Sequence, residues 1–552
     1  MKYTPLLIAA ILSFGLVQPP IIAAEPEAIE AVKKDLVLKT WPLKEEDAKK
    51  LENVKVVVVG AGLAGVLTAL RLQAAEIPTV LIDRSTRIGG TAFLNSGKIY
   101  VTGSNYQNSK LEEDRDSPER LRDDLLAESG NKVDPALIEK LAITVGPATD
   151  WLHEELKVKL TKRPRPDFSK TDPRRTGALV GRIDKNILYF MQEFQRAGGL
   201  LLTETNMTNL LVKHGKVQGI EYSCPQGKNK KLLVSDVILA TGAYGADSYY
   251  YPKSLDRVLY YGSKEEDGAG MKLALKKGAA LVNEHDYKVF PNAVEISKGV
   301  PLITTAPIGL ATRKGGALFI DREGKRFINE NGSLEDLTAQ TFLMPDKKFH
   351  VLFDEHSWGV FKGKAFRDHL IKKPDEAERW DEIKNHGEPV LIKAKNIQEL
   401  SEKTGIPLEN LNQTIDQWNS DVLEEEDKSF GRKPLEHFVK EGKVFLLEQK
   451  NRFASTLGGL KVNPEMQVLN KHEVPLKGLY AVGNIIGGYS SQNNEGPMRT
   501  TWALVSAYVC AETIISAYKE KPKQQTHVQQ CCLLYTSPSP RDSNSSRMPS
   551  SA

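Results

Sequence analysis

Residues 56–65 read VVVVGAGLAG, and they are followed by an amphipathic run to Ala75 and by a second apolar run, 79–82, that ends on Asp83. This order predicts a buried strand, a G-x-G-x-x-G turn, a helix, a second strand and a terminal carboxylate. The glycine motif alone is weak evidence, but here it stands in the strand–turn–helix context that it requires. The stretch therefore predicts a dinucleotide-binding unit in an α/β fold, and an ordinary glycine-rich turn is the alternative.

Each glycine of this turn has a separate physical role. Gly60 permits the tight turn, Gly62 lets a pyrophosphate approach the backbone, and Gly65 lets the helix pack closely on the strand. The helix N-terminus offers unpaired N–H groups and positive dipole charge to the phosphates. Asp83 is expected to accept hydrogen bonds from an adenosine ribose, and its charge would repel a 2′-phosphate. The other predicted cofactor contacts of the turn are Ala61, Leu63 and Ala64.

The segment after Asp83 indicates which dinucleotide is bound. A second glycine pair, Gly89-Gly90, follows the ribose carboxylate. It resembles the flavoprotein pattern, in which the chain returns across the pyrophosphate toward the flavin ring, whereas a nicotinamide domain does not need it. A surface loop is the alternative interpretation. The cofactor contacts predicted here are Arg84, Gly89, Gly90, Thr91, Ser96 and Gly97.

The composition is that of a soluble globular protein with several domains. The chain has 552 residues, 40% apolar and 26% charged, and a net charge of +4. Lysines are spread along the chain, so the sequence shows no cluster of basic residues of the kind that binds nucleic acid. The four cysteines form no C-x-x-C motif, and the histidines show no metal-ligand spacing. We therefore predict no haem, no redox dithiol and no metal.

Both ends of the chain are expected to lie outside the fold. Residues 1–24 combine Lys2, an apolar run from Leu6 to Val17 and a small-residue cleavage site, which is typical of a secretory signal peptide. An uncleaved anchor is the alternative, although the apolar run is short for a bilayer. Residues 25–53 are a polar, helix-prone lead-in. Residues 521–552 are predicted to be disordered, and the part from Cys532 to Asp542 resembles a translated sequencing-library adapter; a genuine low-complexity tail is the alternative.

The middle of the chain supports a two-dinucleotide-binding layout. A helical region (121–156) and an amphipathic helix (187–197) come first, followed by short strands. Then 237–242, Val-Ile-Leu-Ala-Thr-Gly, predicts a buried strand that returns beside the first one and passes near the adenosine. Its predicted cofactor contacts are Ala240, Thr241 and Gly242, and Met207 on an earlier strand is added to them.

A second region begins near Phe290, and the chain later returns to the first. Residues 317–328 predict a hairpin with a turn at Gly324. Residues 478–484 predict a strand that ends on Gly483-Asn484, both assigned to the cofactor site. A long final helix is predicted over 498–518. Its first turn, with Arg499 and Thr500, could aim N–H groups at the N1–O2 edge of a flavin.

These pieces together resemble the fumarate reductase/succinate dehydrogenase-type flavoproteins, especially the soluble exported reductases and their ketosteroid dehydrogenase relatives. The resemblance covers about 54–518, in order. It implies a Rossmann-like two-dinucleotide-binding FAD domain with an inserted α+β capping domain, the substrate lying between them. The implied parts are 54–289, 290–453 and 454–520. No histidine occurs in the loop where some members attach flavin covalently, so we expect non-covalent FAD.

The family's catalytic residues are not matched. On the resemblance, the proton-donating arginine falls on Leu334, and the two histidines that hold the substrate carboxylate fall on Phe290 and Ala454. The clamping arginine falls on Asn494. These residues argue against a standard fumarate reductase. The candidate catalytic residues are Arg499, Arg313, Tyr489 and Asn494. Either arginine could bind an anion, or be merely solvated or helix-capping, and tyrosines in such loops often serve packing.

The sequence therefore predicts an exported FAD-dependent oxidoreductase, periplasmic in a bacterium and secretory or extracellular in a eukaryote. Hydride would pass between flavin N5 and a small organic substrate with a C–C or C=C bond next to an activating group. Its partners would be that substrate and a separate electron donor or acceptor, with no nucleic acid and no stable membrane span after signal cleavage. The alternatives are a flavin-binding protein that has lost the reaction and an oxygen-using amine or amino-acid oxidase.

Overall fold

The computed structural model describes residues 43–520, apart from 87, 95–96, 110–115, 131, 163–174, 181–182, 226, 228, 374, 386 and 494–496. The predicted signal peptide, the tail and most of the lead-in lie outside the described residues. So do two predicted site residues, Ser96 and Asn494. Within the described part, no helix is both long enough and apolar enough to cross a bilayer.

The α-helices have the following bounds. They are α1 Glu45–Glu52, α2 Leu63–Ala74, α3 Asn105–Asn108, α4 Pro118–Ser129, α5 Pro135–Asp150, α6 Ile183–Arg196, α7 Ala269–Leu275, α8 Thr305–Gly315, α9 Leu334–Leu343, α10 Glu355–Arg367, α11 Ile397–Thr404, α12 Leu408–Leu423 and α13 Met498–Glu520. Short 3₁₀ turns, among them Gly90–Leu94 and Gly483–Ile485, lie at the glycine-rich segments.

The strands have the following bounds. They are β1 Val56–Val59, β2 Thr79–Ile82, β3 Lys98–Tyr100, β4 Thr176–Ala178, β5 Leu200–Leu202, β6 Asn206–Lys213, β7 Lys216–Ser223, β8 Lys230–Leu233, β9 Asp236–Leu239, β10 Leu259–Tyr260, β11 Leu281–Val282, β12 Tyr287–Ser297, β13 Val300–Ile303, β14 Leu318–Ile320, β15 Lys348–Asp354, β16 Lys384–Asn385, β17 Glu388–Pro389, β18 Leu391–Ala394, β19 Val444–Thr456, β20 Gly459–Leu460, β21 Gln467–Leu469 and β22 Pro475–Ala481.

The first large sheet carries the predicted nucleotide fold. Its main path runs β5-β2-β1-β9-β22-β7-β6, and β1 is parallel to both β2 and β9. The four valines of β1 are buried on both faces, as expected for a central parallel strand with helices on both sides. The Ala-Thr-Gly strand therefore does return beside the first strand. The predicted return of the chain to this sheet after the inserted region is also confirmed, because β22 pairs with β9.

A second sheet forms the inserted region. Its path is β13-β12-β19-β15-β14, and β10 and β18 also pair with β19. The hairpin predicted over residues 317–328 is confirmed only in part. β14 pairs with the distant β15, and only a single bridge, Ile320 to Arg326, remains of the expected partner strand. The local turn at Gly324 is kept, and β14 is the edge strand of this sheet, but residues 327–328 form no strand beside it.

Each sheet has its own hydrophobic core. One buried cluster surrounds the first sheet and contains residues from both ends of the described chain, from Val54 to Ile515. Two further clusters lie on the second sheet, around Trp358 and Trp418. The structure is thus α/β, with an FAD-type domain interrupted by a capping region. The boundaries at 290 and 453 remain our prediction.

Candidate active site

The glycine turn between β1 and α2 is shaped both by packing and by an open space. A Cβ on Gly60 would lie 2.4 Å from the Ala240 carbonyl oxygen, and Gly60 has a φ of +109°. A Cβ on Gly65 would lie 2.0 Å from the Gly60 carbonyl oxygen. These two glycines are required by the fold itself. A Cβ on Gly62, in contrast, would meet no atom closer than 4.0 Å, so the space over Gly62 is open to a ligand.

The second glycine pair lies directly against this turn. The Gly89 N–H donates to the Ala61 carbonyl oxygen at 2.9 Å, and Gly62 and Gly89 form a parallel bridge. A Cβ on Gly90 would be 3.6 Å from the Cα of Gly62. The chain therefore returns across the turn, which is the arrangement expected if a pyrophosphate lies between the two segments.

Asp83 lies at the end of β2 and accepts two backbone hydrogen bonds. The Ala61 N–H donates to it at 2.7 Å and the Ser85 N–H at 2.8 Å. Burial raises the pKa of Asp83, and these two hydrogen bonds oppose that effect. Each oxygen keeps a lone pair, so the carboxylate can still accept a ribose hydroxyl.

Arg84 is held by an acidic residue that sequence reasoning missed. Its guanidinium lies 2.7 Å from Asp267 and also donates to the Glu265 carbonyl. Burial alone would raise the pKa of Asp267, but the hydrogen bond from Arg84 leaves it lowered. The acidic run 265–267 before Gly268 was the available signal in the sequence. The ion pair joins the loop after β2 to the segment that precedes α7.

Other predicted cofactor residues lie on the elements of the first sheet or in the segments next to them. Ala64 is in the first turn of α2, and a Cβ on Gly483 would lie 2.9 Å from its Cβ. Met207 is buried on β6. Just before β6, the Thr205 N–H donates to the Asp83 carbonyl oxygen at 2.8 Å. Gly97 is in the left-handed region with a φ of +70°. Leu63 and Gly242 complete this group at the ends of β1 and β9.

Tyr489, Asn484 and Arg499 come together at the start of α13. The Tyr489 hydroxyl donates to Asn484 Oδ1 at 3.0 Å, and the Tyr489 ring stacks on Trp502 at a centroid distance of 4.7 Å. Burial raises the pKa of Tyr489. Arg499 Nη2 donates to the Thr456 carbonyl oxygen at 3.3 Å. The structure thus brings two of the four predicted catalytic residues close to one cofactor residue.

Several buried polar atoms in this region have no hydrogen-bond partner within the described protein. Buried polar groups are usually paired, so such atoms indicate that a polar ligand belongs there. They are Thr241 Oγ1, Arg499 Nη1, Thr500 Oγ1 and Trp502 Nε1. Together with the open space over Gly62, they fit a long polar cofactor such as FAD.

Glu266 is the second functional candidate that sequence reasoning missed. Its side chain is only 4% exposed and lies 3.5 Å from the Ala243 N–H. Burial raises the pKa of Glu266, while the charge of Arg499 and hydrogen bonds from Thr91 and Asn484 oppose that change. The carboxyl group therefore touches three of the predicted cofactor segments. A buried carboxyl group with a perturbed pKa next to a predicted cofactor site is a candidate functional group.

Arg313 is placed elsewhere. It is exposed in the last turn of α8, and its guanidinium lies against Gly309 of the same helix. The described residues contain no group of three or more histidine, cysteine or acidic side chains that could hold a metal ion.

Comparisons with known proteins point to one family. A family described as FAD binding domain matches residues 55–497. The chain is 24% identical over 451 residues to the NADH:fumarate oxidoreductase of Klebsiella pneumoniae, covering 81% of this chain and 46% of that protein. It is 29% identical over 314 residues to the NADH:acrylate oxidoreductase of Vibrio harveyi, covering 55% and 29%. It is 26% identical over 451 residues to the fumarate reductase (cytochrome) of Shewanella frigidimarina, covering 81% and 74%. The chain thus spans less than half the length of the first two relatives.

Solved structures share the fold. An open flavocytochrome c3 fumarate reductase superimposes with a TM-score of 0.66 at 20% identity, covering 90% of this chain and 81% of the other. The 3-ketosteroid delta1-dehydrogenase of Sterolibacterium denitrificans gives a TM-score of 0.69 at 14% identity, covering 84% and 99%.

Proposed function

The chain belongs to the FAD binding domain family, and from this premise we propose that it is an exported FAD-dependent oxidoreductase other than a standard fumarate reductase. Its substrate is a small organic molecule with a C–C or C=C bond next to an activating group. FAD, when bound, exchanges hydride with that bond through N5. The residues of the chain bind, orient and shield the cofactor, and they carry the proton.

The four unpartnered polar atoms of the cofactor region carry this proposal. They lie at the end of β9 and in the first two turns of α13. The first turn of α13 also offers backbone N–H groups and positive dipole charge. An electron-rich flavin edge at this point would satisfy side chains that are otherwise buried and unpaired.

The difference from a fumarate reductase rests on three positions. Leu334 opens α9 where the resemblance requires a proton-donating arginine, and a leucine has no proton to give. Phe290 on β12 and Ala454 on β19 replace the two histidines. The relatives are named for fumarate and acrylate, in which a C=C bond is conjugated to a carboxylate. We therefore place this chain in the same bond chemistry with a different proton route.

Glu266 and Tyr489 are our candidates for that route. Both are buried, and Asn484 connects them, since it accepts from the Tyr489 hydroxyl and lies within hydrogen-bonding reach of Glu266. Burial raises the pKa of both groups, so the Tyr489 hydroxyl keeps its proton at neutral pH and the protonated form of Glu266 is favoured relative to an exposed glutamate. Electrons come from or go to a separate partner, and FAD is held non-covalently.

The test begins with the absorbance spectrum of the purified protein. We expect a flavin band that moves to the supernatant after acid precipitation, because nothing tethers the cofactor. Anaerobic mixing of the reduced protein with α,β-unsaturated acids and ketones should then reoxidise the flavin. A colourless protein that takes up no added FAD would overturn the proposal. Flavin without turnover would favour the binding-protein alternative, and rapid peroxide release with amines would favour the oxidase.

A further inference from the structure

The side chain of Gln492 makes two hydrogen bonds to the backbone of one distant residue. The Val289 N–H donates to Gln492 Oε1 at 2.9 Å, and Gln492 Nε2 donates to the Val289 carbonyl oxygen at 2.6 Å. The two residues are 203 positions apart in the chain. A carboxamide that both accepts and donates in this way satisfies the same two backbone groups as a neighbouring strand would. We call this pair of hydrogen bonds the Gln492–Val289 link.

Val289 lies where β12 has a strand on one side only. β19 pairs with β12 from Tyr287 to Ala293, whereas β13 pairs with it only from Ala293 onward. Among the described strands, none therefore covers the second edge of β12 at Val289, and the Gln492 side chain takes that place. The register with β19 also shifts between Lys288 and Val289. The ladder is disrupted at such an irregularity, so the link supports β12 where its own pairing is weakest.

The other end of the link belongs to the cofactor region. Gln492 comes three residues after Tyr489, whose hydroxyl donates to Asn484 Oδ1. Residues 490–491, both serines, are no more than 3% exposed. Three residues of extended chain span at most about 11 Å. Because this segment is short and buried, a shift of Val289 is passed on to Tyr489 rather than absorbed in a loose loop.

The start of the same loop is attached to the FAD-type domain. The Gly487 N–H donates to the Leu460 carbonyl oxygen at 3.2 Å, and the Gly488 carbonyl oxygen accepts from the Asp134 N–H at 2.7 Å. Leu460 lies in β20 and packs in the core of the first sheet, and Asp134 directly precedes α5. Tyr489 therefore lies between an attachment to the FAD-type domain and an attachment to the strand that enters the capping region.

We propose that Gln492 is a positioning residue that couples FAD binding to the order of β12. This inference rests on the proposed function, in which Asn484 and Tyr489 lie at the cofactor. Ordering of these two groups by FAD also fixes Gln492, and Gln492 in turn fixes the open edge of β12. The coupling is reciprocal by thermodynamic linkage, so a variant without the link should bind FAD more weakly. Gln492 acts through Tyr489 and Asn484 and is not assigned a catalytic role.

Hydrogen exchange measured by mass spectrometry tests this coupling in the full chain, with and without added FAD. Exchange is read at residues 290–297, the part of β12 beyond the link, so that loss of the Val289 hydrogen bond itself does not enter the result. In the wild type we expect FAD to slow exchange there by about tenfold, the effect of one or two net hydrogen bonds. In Gln492→Met, which keeps the length of the side chain without its polar groups, FAD should change this exchange by less than about twofold. The Kd for FAD should rise by about tenfold in that variant, as linkage requires.

Gln492→Glu is the second variant, because it keeps the size and polarity of the side chain and so disturbs the fold less. Its carboxylate can accept from the Val289 N–H but has no proton to donate to the carbonyl oxygen. We therefore expect it to lose the coupling as Gln492→Met does. The control is Gln413→Met, at an exposed position on α12, and it should behave as the wild type.

A slowing of exchange by FAD that survives in both variants overturns the inference, as does an unchanged affinity of both for FAD. The same conclusion follows if the wild type binds FAD without any change in exchange at residues 290–297. Faster exchange throughout the chain of both variants, equal with and without FAD, would assign Gln492 a structural role only and would also overturn it. A wild type that takes up no FAD is recognised separately by its absorbance spectrum, and it overturns the proposed function together with this inference.

Discussion

Alanine at Gly65 should lower the stability of the fold, whereas alanine at Gly62 should mainly weaken cofactor binding, because the two positions require glycine for different reasons. A Cβ on Gly65 would lie 2.0 Å from the Gly60 carbonyl oxygen and 3.0 Å from the Ala240 Cβ. Neither neighbour is a flexible side chain, so Gly65→Ala must push α2 away from β1. Such overpacking costs about 1–3 kcal/mol or more of the free energy of unfolding. Gly62 is the N-cap of α2 and has an ordinary φ of −75°. Alanine there loses only the cap preference, about 1 kcal/mol or less.

The same Gly62→Ala change should remove the cofactor. Its Cβ would enter the open space over the turn, where we place the pyrophosphate. We expect FAD affinity to fall by at least 100-fold, which is about 2.7 kcal/mol. Urea unfolding of the apo-protein measures the first effect, and fluorescence titration with FAD measures the second. If Gly62→Ala bound FAD as tightly as the wild type, no pyrophosphate would lie over Gly62. If both variants lost the same stability, the distinction between packing and cofactor would be wrong.

Three further outcomes are expected. Burial raises the pKa of Glu266, so the apo-protein should lose stability as pH rises from about 4.5 through the folded pKa, and Glu266→Gln should flatten that slope in pH-dependent urea unfolding. Glu330→Gln should lower the free energy of unfolding by about 3–5 kcal/mol, because Glu330 neutralises Arg326 at 2.9 Å and Arg432 at 3.2 Å. The control is Glu335→Gln, at an exposed position, and it should change the free energy of unfolding very little. Burial lowers the pKa of His350 from 6.5 to about 4. Up to about 3 kcal/mol of the free energy of unfolding should therefore be lost as pH falls from 6.5 to 4. Thermal melting of His350→Gln over this pH range tests the prediction, and the same acid loss in that variant would contradict it.

Most of the first domain could be predicted because its signals are local. Four successive valines before a glycine turn are typical of a buried parallel strand, and β9 and β22 repeat that pattern. The long final helix was also confirmed, with bounds of Met498–Glu520. The hairpin near Gly324 was only partly correct, because the main partner of β14 lies far away in sequence. Nothing in residues 317–328 reveals that β15 is the strand that pairs with β14.

The missed site residues share one physical property: their role depends on what they face. Glu266 lies in an acidic run that is typical of a solvated surface, yet it is buried beside Ala243. Asp267 belongs to the same run, yet it lies 2.7 Å from the guanidinium of Arg84. Only the three-dimensional structure shows that the carboxyl group of Glu266 is buried and that Asp267 pairs with Arg84. Glycine motifs, in contrast, are readable in sequence because the backbone itself makes the contact.

The way in which the two sheets are joined limits how the capping region can move. The chain passes between them on β12 and β19, and these strands are paired with each other from Tyr287–Thr456 to Ala293–Lys450. Two hydrogen-bonded strands form a stiffer connection than two separate loops, so free rotation about this side is excluded. The ladder is interrupted next to Asn292, which is where such a ribbon can bend. Because Arg452 donates to the carbonyl of Asn292, a bend there moves the guanidinium as well.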